Sequence, residues 1–184
     1  MTASGVTKSR LGIALLLVGL ALAIAIPIGV AVSGADPEDD PALYEPEQTG
    51  PKVAIASGTA SGEPWALQAY PSDQGLCLEL LSSQGARGGC GIDVPSKSPV
   101  GLFVAWDYEE GRAWIFGPTI ASASAVRIAL GDGTEVTTRT VPGPASLSMK
   151  LDFYATSVAG TPAVTSVTAI DDAGSVLGRQ VNGH

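Results

Sequence analysis

Two cysteines, Cys77 and Cys90, are the only thiols of the chain, and their chemistry depends on the compartment they reach. Both lie beyond a long apolar segment near the N-terminus, in the part expected outside a membrane. Because that side is usually oxidising, the pair predicts a structural disulfide across 12 intervening residues. The spacing is not the Cys-x-x-Cys of a redox-active pair. Two sulfurs and one histidine cannot supply the four ligands of a zinc site, so no metal and no cofactor is predicted.

Acidic residues are the remaining candidates for catalysis, since the only histidine, His184, is the last residue of the sequence. A histidine at a chain end is a poor general base, which disfavours Ser–His and Cys–His catalysis. A hydrolase that uses paired carboxylates stays open as an alternative. Most of the acids lie in predicted turns or on predicted strands, where a solvated acid is more common than a catalytic one. The candidate acids are Asp93, Asp107, Glu109, Glu110, Asp152, Asp171 and Asp172.

Aromatic residues near the start of the folded part are candidates for a binding surface. Trp65 begins a predicted strand, and Tyr70 precedes a loop that contains Asp73. These three residues form the candidate surface, with core packing as the alternative for the two aromatic rings. Loops on a rigid scaffold often carry contacts, which adds the predicted loops over 71–75, 84–89 and 95–99.

The elements that position these residues begin with an uninterrupted apolar run over residues 11–32, LGIALLLVGLALAIAIPIGVAV. As a helix, its 22 residues measure about 33 Å, close to the roughly 30 Å hydrocarbon core of a bilayer. Lys8 and Arg10 precede the run and acidic residues follow it, which places the N-terminus in the cytoplasm. The run therefore predicts one transmembrane helix in contact with membrane lipid, after a cytoplasmic stub over residues 1–10.

A cleaved signal peptide is the alternative to this anchor. Small residues offer cleavage sites near Ser33 or Ala35, and the product would be secreted. The run exceeds the roughly 7–15 apolar residues of most signal peptides, which favours a retained anchor. Residues 33–52 then form an acidic, proline-rich linker, and residues 53–184 form one extracytoplasmic domain. The net charge of −8 at pH 7 disfavours nucleic acid as a partner.

Short apolar stretches in residues 53–184 alternate with clusters of Gly, Pro, Ser and Asp, a pattern of many short strands. The predicted fold class is all-β: an antiparallel β-sandwich, immunoglobulin-like or similar, preceded by one N-terminal transmembrane helix. The predicted strands cover residues 53–57, 64–70, 76–82, 89–94, 100–108, 112–118, 125–130, 134–141, 146–156, 164–171 and 175–181.

Three predicted hairpins share a three-residue loop that ends in Gly111, Gly133 or Gly174. Glycine at that position adopts the left-handed conformation that a type I turn with a G1 bulge requires. Each loop also predicts which apolar residues oppose each other on the buried face. The predicted pairs are Trp106 with Trp114, Val104 with Phe116, Ile128 with Val136, and Ile170 with Val176.

Three segments, GEPWALQAYPSDQGLCLEL, GGCGIDVP and VTAIDDAGSVLG, occur in a composition rich in Ala, Gly, Val and Asp. Together they resemble small secreted or single-pass membrane-anchored β-domain proteins of high-GC Gram-positive bacteria. The resemblance implies an extracytoplasmic location and a β fold, and it carries no active residues across.

These observations predict a non-catalytic binding or structural module at the cell surface, with an envelope protein or a wall polymer as partner. One alternative is the carboxylate-dependent hydrolase. Another is a ligand-binding sensor subunit that acts through a partner membrane protein, because a stub of about ten residues is too short to fold.

Overall fold

The computed structural model describes residues 45–91, 98–147 and 149–182. All regular elements in these ranges are β-strands. Within the same ranges, the structure contains no helix that is long and apolar enough to cross a bilayer. The predicted transmembrane helix over 11–32, the stub over 1–10, the cleavage sites near Ser33 and Ala35, Asp93 and His184 lie outside the described residues.

Twelve strands are present in the described part of the chain, and all their pairings are antiparallel. The predicted all-β, antiparallel class is therefore confirmed. The strands are β1 (Val53–Ala60), β2 (Glu63–Ser72), β3 (Gly75–Ser82), β4 (Gly85–Gly89), β5 (Phe103–Asp107), β6 (Arg112–Ile120), β7 (Ala125–Leu130), β8 (Glu135–Arg139), β9 (Val141–Pro142), β10 (Leu151–Ala159), β11 (Val164–Ile170) and β12 (Val176–Val181).

The strands form three four-stranded sheets, one more than the two of a β-sandwich. The first sheet is the meander β1-β2-β3-β4, the middle sheet has the order β5-β6-β10-β9, and the third sheet has the order β12-β11-β7-β8. The chain builds the first sheet from consecutive strands and then alternates between the other two. The middle and third sheets are thus interleaved along the sequence, whereas the first sheet is a local unit.

The middle sheet packs on both faces, which creates two separate cores. In β6, Trp114 and Phe116 point to the first sheet, where they pack with Leu67 and Leu78. The intervening Ile115 points to the third sheet, where a second core contains buried residues such as Val126, Ile128 and Val167. Because neither face of β6 meets water, this strand is buried from Arg112 to Thr119.

Two of the three predicted hairpin registers are confirmed. Ile128 pairs with Val136 and Ile170 pairs with Val176. The glycines that end these loops, Gly133 and Gly174, have φ values of 86° and 79°, as the turn chemistry requires. In the second pair, Ile170 is buried as predicted, whereas Val176 lies exposed on an edge strand.

The third register, around Gly111, is wrong by one residue. Trp106 pairs with Ala113, and Trp114 pairs with Ala105. The hairpin closes one step further from its tip, at Asp107 and Arg112, so Trp106 and Trp114 lie on opposite faces of the sheet. Trp114 is buried as predicted, whereas Trp106 is 41% exposed.

Charge pairing explains this register. The shift buries Asp107, but it also places that carboxylate directly opposite Arg112. The Arg112 Nε lies 3.8 Å from the Asp107 Oδ2, and the backbone N–H of Glu110 donates to the Asp107 Oδ1 at 3.1 Å. The nearby guanidinium offsets part of the cost of burying the Asp107 carboxylate.

The predicted disulfide between Cys77 and Cys90 is confirmed. Cys77 lies in β3 and Cys90 directly follows β4, one position beyond the pairing of Leu78 with Gly89. The bond therefore links two neighbouring strands of the first sheet. The segment over 84–89, predicted as a loop, is mostly the edge strand β4.

Removing the disulfide by the double substitution Cys77→Ala and Cys90→Ala should lower the free energy of unfolding by about 2 to 3 kcal/mol, because the unfolded chain regains the freedom that a short closed loop had lost. Urea unfolding of the full chain in a mild detergent, followed by tryptophan fluorescence, measures this change. The wild-type chain treated with reductant should unfold at the same midpoint as the variant. An unchanged midpoint in both samples would contradict the prediction.

Candidate functional site

The structure separates the three residues of the candidate surface named from the sequence. Trp65 is half-buried and faces the core between the first and middle sheets, with its ring 5.6 Å from the Trp114 ring. Tyr70 is half-buried and lies an odd number of positions from Trp65 in β2, which places it on the outer face of the same sheet. Asp73 is exposed in the β2–β3 turn. The three side chains therefore do not share one surface.

A small polar cluster surrounds Tyr70 on the outer face of the first sheet. The Lys52 Nζ lies 4.9 Å from the centre of the Tyr70 ring and 2.6 Å from the Glu79 Oε2. Gln68 also donates to Glu79. Burial alone would raise the pKa of Glu79, but the hydrogen bonds from Lys52 and Gln68 outweigh it and hold this pKa below its usual value. All four side chains are partnered, so the cluster is best explained as sheet stabilisation.

The candidate loops are shorter than the sequence predicts. Strands β2 and β3 extend so far into the 71–75 segment that only Asp73 and Gln74 remain between them. Asp73 is engaged there by the incoming chain, because the Glu47 backbone N–H donates to its Oδ1 at 2.9 Å. Most of the 95–99 loop lies outside the described residues.

Two of the predicted acids, Asp152 and Asp172, line an open cavity of about 600 Å³ beside the β6–β7 connection. Arg139 lines the same cavity. Partial burial raises the pKa of the Asp152 carboxyl, and a hydrogen bond from the Gly143 backbone offsets this only in part. The cavity therefore brings an acid with a raised pKa and a second acid into the lining of one cleft.

The raised pKa of Asp152 predicts a pH-dependent effect on stability. A carboxyl whose pKa is higher in the folded state favours folding at low pH, and that contribution is lost as the pH rises through the folded-state pKa. Asp152→Asn should therefore raise the free energy of unfolding at pH 7 by about 0.5 kcal/mol. The gain should vanish below about pH 3.9, the ordinary aspartate pKa. Urea unfolding at both pH values tests this, with the exposed Asp172→Asn variant expected to match wild type.

A second cavity is lined by Trp106, the residue that was wrongly predicted from the sequence to lie in the core. It is a groove of about 380 Å³ at the open edges of the middle and third sheets, where β5 lies at one edge and β12 at the other. We call it the Trp106 groove. Its lining residues are Leu102, Val104, Trp106, Ala163, Val164, Gln180 and Asn182.

The strand geometry explains how this groove is built. Val104 and Trp106 alternate with Ala105 in β5, so their side chains share the face toward the third sheet. Val104 packs at the margin of the core between those sheets, and Trp106 continues that face beyond the core. On the opposite side, the Asn182 Nδ2 donates to the Val164 carbonyl at 3.2 Å, which fixes the amide at the rim.

Among the residues that the structure describes, those that line the Trp106 groove carry no charge, although the chain has a net charge of −8. An exposed indole ring, aliphatic side chains and two amides are the typical contents of a small-molecule site, and the volume lies within the usual range of about 300–1,000 Å³. Sequence analysis missed this site because the predicted register put Trp106 in the core. The available signal was the alternation of Leu102, Val104 and Trp106 just before an acidic turn.

No protein-family model, curated protein or solved structure matches this chain. Within the residues that the structure describes, no group of three or more His, Cys, Asp or Glu side chains is arranged to hold a metal ion.

Proposed function

We propose that this chain is a non-catalytic binding module held at the cell surface. In this proposal a helix over residues 11–32 anchors the chain in the cell membrane, with the N-terminus in the cytoplasm. Residues 33–52 link the anchor to the extracytoplasmic domain over 53–184. The middle and third sheets then correspond to the predicted sandwich, and the first sheet is an addition on its outer face.

The observation that carries the proposal is the Trp106 groove. Tryptophan is among the residues most often responsible for binding energy, and a solvent-exposed indole in a strand costs hydrophobic free energy that a ligand would recover. Trp106 lies 41% exposed beside half-buried aliphatic residues that already belong to the margin of a core. A ligand in the groove would complete the cover of that margin.

Two further features support the location. The disulfide between Cys77 and Cys90 fits an oxidising compartment outside the cytoplasm. The uncharged run over 11–32 is long enough to span a bilayer, and its only preceding cations are Lys8 and Arg10. An envelope protein or a wall polymer is the partner expected in that compartment.

Binding to lipid-extracted envelope material tests the proposed function. We expect Trp106→Ala in the full chain, kept in a mild detergent, to weaken co-sedimentation with this material at least about tenfold. Tyr108→Ala is the matched control, since Tyr108 is an exposed aromatic residue on the same hairpin outside the groove lining. Equal binding by wild type and the Trp106 variant would overturn the proposed site.

Fractionation of cells tests the anchor separately. We expect the full-length mass in the membrane fraction and protection of only the N-terminal segment from added protease. A soluble, secreted species that begins near Gly34 or Asp36 would show cleavage and replace the anchored form with a secreted one. That result would leave the binding function of the Trp106 groove open to the sedimentation test.

A carboxylate-dependent hydrolase is the second candidate, favoured by the cavity that holds Asp152 and Asp172. The raised pKa of Asp152 suits a general acid. If this candidate is correct, Asp152→Asn and Asp172→Asn each abolish turnover of a glycan or ester substrate while the fold is retained. If the binding module is correct, neither substitution affects envelope binding.

A further inference from the structure

The lining of the Trp106 groove restricts the chemistry of its ligand. The described residues that line the groove are Leu102, Val104, Trp106, Ala163, Val164, Gln180 and Asn182, which offer neither a cation to an anionic ligand nor a carboxylate to a cationic one. A charged ligand would therefore lose hydration without gaining a partner. A purely apolar ligand fits poorly for the opposite reason, because it would cover the amides of Gln180 and Asn182 without offering them hydrogen bonds.

The remaining class is a neutral ligand that has an apolar face and many hydroxyl groups. The Asn182 Nδ2 is already used on the Val164 carbonyl, which holds the amide in place and leaves its oxygen as an acceptor for a ligand hydroxyl. The Gln180 amide adds both a donor and an acceptor. The Trp106 indole offers a flat apolar face, on which the C–H face of a sugar ring can pack.

We propose that the Trp106 groove binds an uncharged sugar segment of a surface polysaccharide. Trp106 packs against the ring, and Gln180 and Asn182 bind its hydroxyl groups. This inference rests on the proposed binding function and selects the wall polymer over the envelope protein as the partner. The groove lies beside two sheet edges and is partly open to solvent, which suits a segment within a longer chain better than a fully enclosed small molecule.

Fluorescence titration of the full chain with short neutral oligosaccharides tests the inference. The probes are gluco-, manno-, xylo- and N-acetylglucosamine oligomers, with an oligogalacturonate as the charged comparison and an apolar peptide as a competitor. We expect at least one neutral probe to bind, and the oligogalacturonate to bind at least about tenfold more weakly. Trp106→Ala should weaken binding at least about tenfold.

Further variants separate ligand contact from structural damage. Trp106→Phe keeps an aromatic face and should retain part of the affinity, whereas Gln180→Ala and Asn182→Ala should each weaken binding several-fold. Tyr108→Ala should bind as wild type. Near-ultraviolet circular dichroism checks that each variant is folded.

Two results would overturn the sugar inference: no Trp106-dependent binding by any neutral probe, or displacement from envelope material by the apolar peptide alone. If Trp106-dependent binding to envelope material persists in either case, the proposed binding function stands and its ligand is not an uncharged sugar segment. If envelope binding is also independent of Trp106, both proposals fail.

Discussion

Arg112→Met should lower the free energy of unfolding by about 3 to 5 kcal/mol, the cost of leaving one member of a buried ion pair without its partner. The Arg112 Nη1 donates to the Ala60 carbonyl at 2.8 Å, and its Nη2 donates to the Glu110 Oε2 at 2.9 Å. The Nε of the same guanidinium lies 3.8 Å from the Oδ2 of the buried Asp107 carboxylate. The substitution removes the hydrogen bond to β1 and strands the Asp107 charge in a protein interior.

A double variant distinguishes the stranded charge from lost packing. Asp107→Asn in the Arg112→Met background removes the charge, and the oxygen of the new side-chain amide would still accept the Glu110 N–H, so we expect part of the stability to return. Arg87→Met is the control, because Arg87 is exposed on edge strand β4 and should change stability by less than about 0.5 kcal/mol. Urea unfolding monitored by fluorescence reports all three, and a double variant no more stable than Arg112→Met would contradict the charge argument.

Gly117→Ala should lower the free energy of unfolding by about 3 to 4 kcal/mol, since overpacking is joined by loss of a buried hydrogen bond. Gly117 lies in β6 directly opposite Tyr154 in β10. The Tyr154 hydroxyl reaches past Gly117 and donates to the Gly101 carbonyl at 2.7 Å. A Cβ at position 117 would lie 2.2 Å from that carbonyl oxygen and 3.1 Å from the hydroxyl.

Two comparisons identify the cause of that loss. Tyr154→Phe removes only the hydrogen bond and should cost about 1 to 2 kcal/mol, less than Gly117→Ala. Burial raises the pKa of the Tyr154 phenol, so the hydroxyl stays protonated and donates across the whole working pH range. Gly131→Ala, at a loop position where the new Cβ meets only Ala163, should have a small effect. Equal losses for the two alanine variants would refute the steric explanation.

The two hairpins that were predicted correctly are those whose register is set by residues of the turn itself. In the loops that end in Gly133 and Gly174, backbone hydrogen bonds and Asx contacts lie within the turn itself. The Asp171 Oδ1, for example, accepts from the N–H groups of Ala173 and Ser175. Glycine with a positive φ is then sufficient to set the register of the two strands. Turn chemistry of this kind is readable without knowledge of the rest of the fold.

The β5–β6 register was not readable because the rule used to predict it assumes one buried face. In the middle sheet both faces are buried, so apolar residues occupy almost every position of β6 and carry no alternation. The pairing of Asp107 with Arg112 favours the observed register instead. The strength of that interaction depends on how deeply both side chains are buried, which is known only from the folded structure. A three-sheet arrangement also cannot be distinguished from a two-sheet one by strand count alone.

The Trp106 groove was out of reach of sequence analysis for a related reason. Its lining comes from the segment around β5, from the start of β11 and from the end of β12. These segments meet only because β5 and β12 are edge strands of adjacent sheets. The disulfide, by contrast, depended only on the number of cysteines and the expected compartment, and it was predicted correctly.

The attachment of residues 47–49 to the β2–β3 turn has a mechanical consequence. Thr49 donates to the Pro71 carbonyl and Asp73 donates to the Glu47 carbonyl, both at 3.0 Å. If the chain is pulled between its N-terminal side and a ligand held at Trp106, these bonds bear the first load. The disulfide then carries the force directly from Cys77 to Cys90, so the β3–β4 hairpin between them cannot be stretched. The strands from β6 onward follow Trp106 in the sequence and therefore lie outside the stretched part of the chain. Such a force would separate strands of the first sheet before it reached the contacts between Trp106 and the ligand.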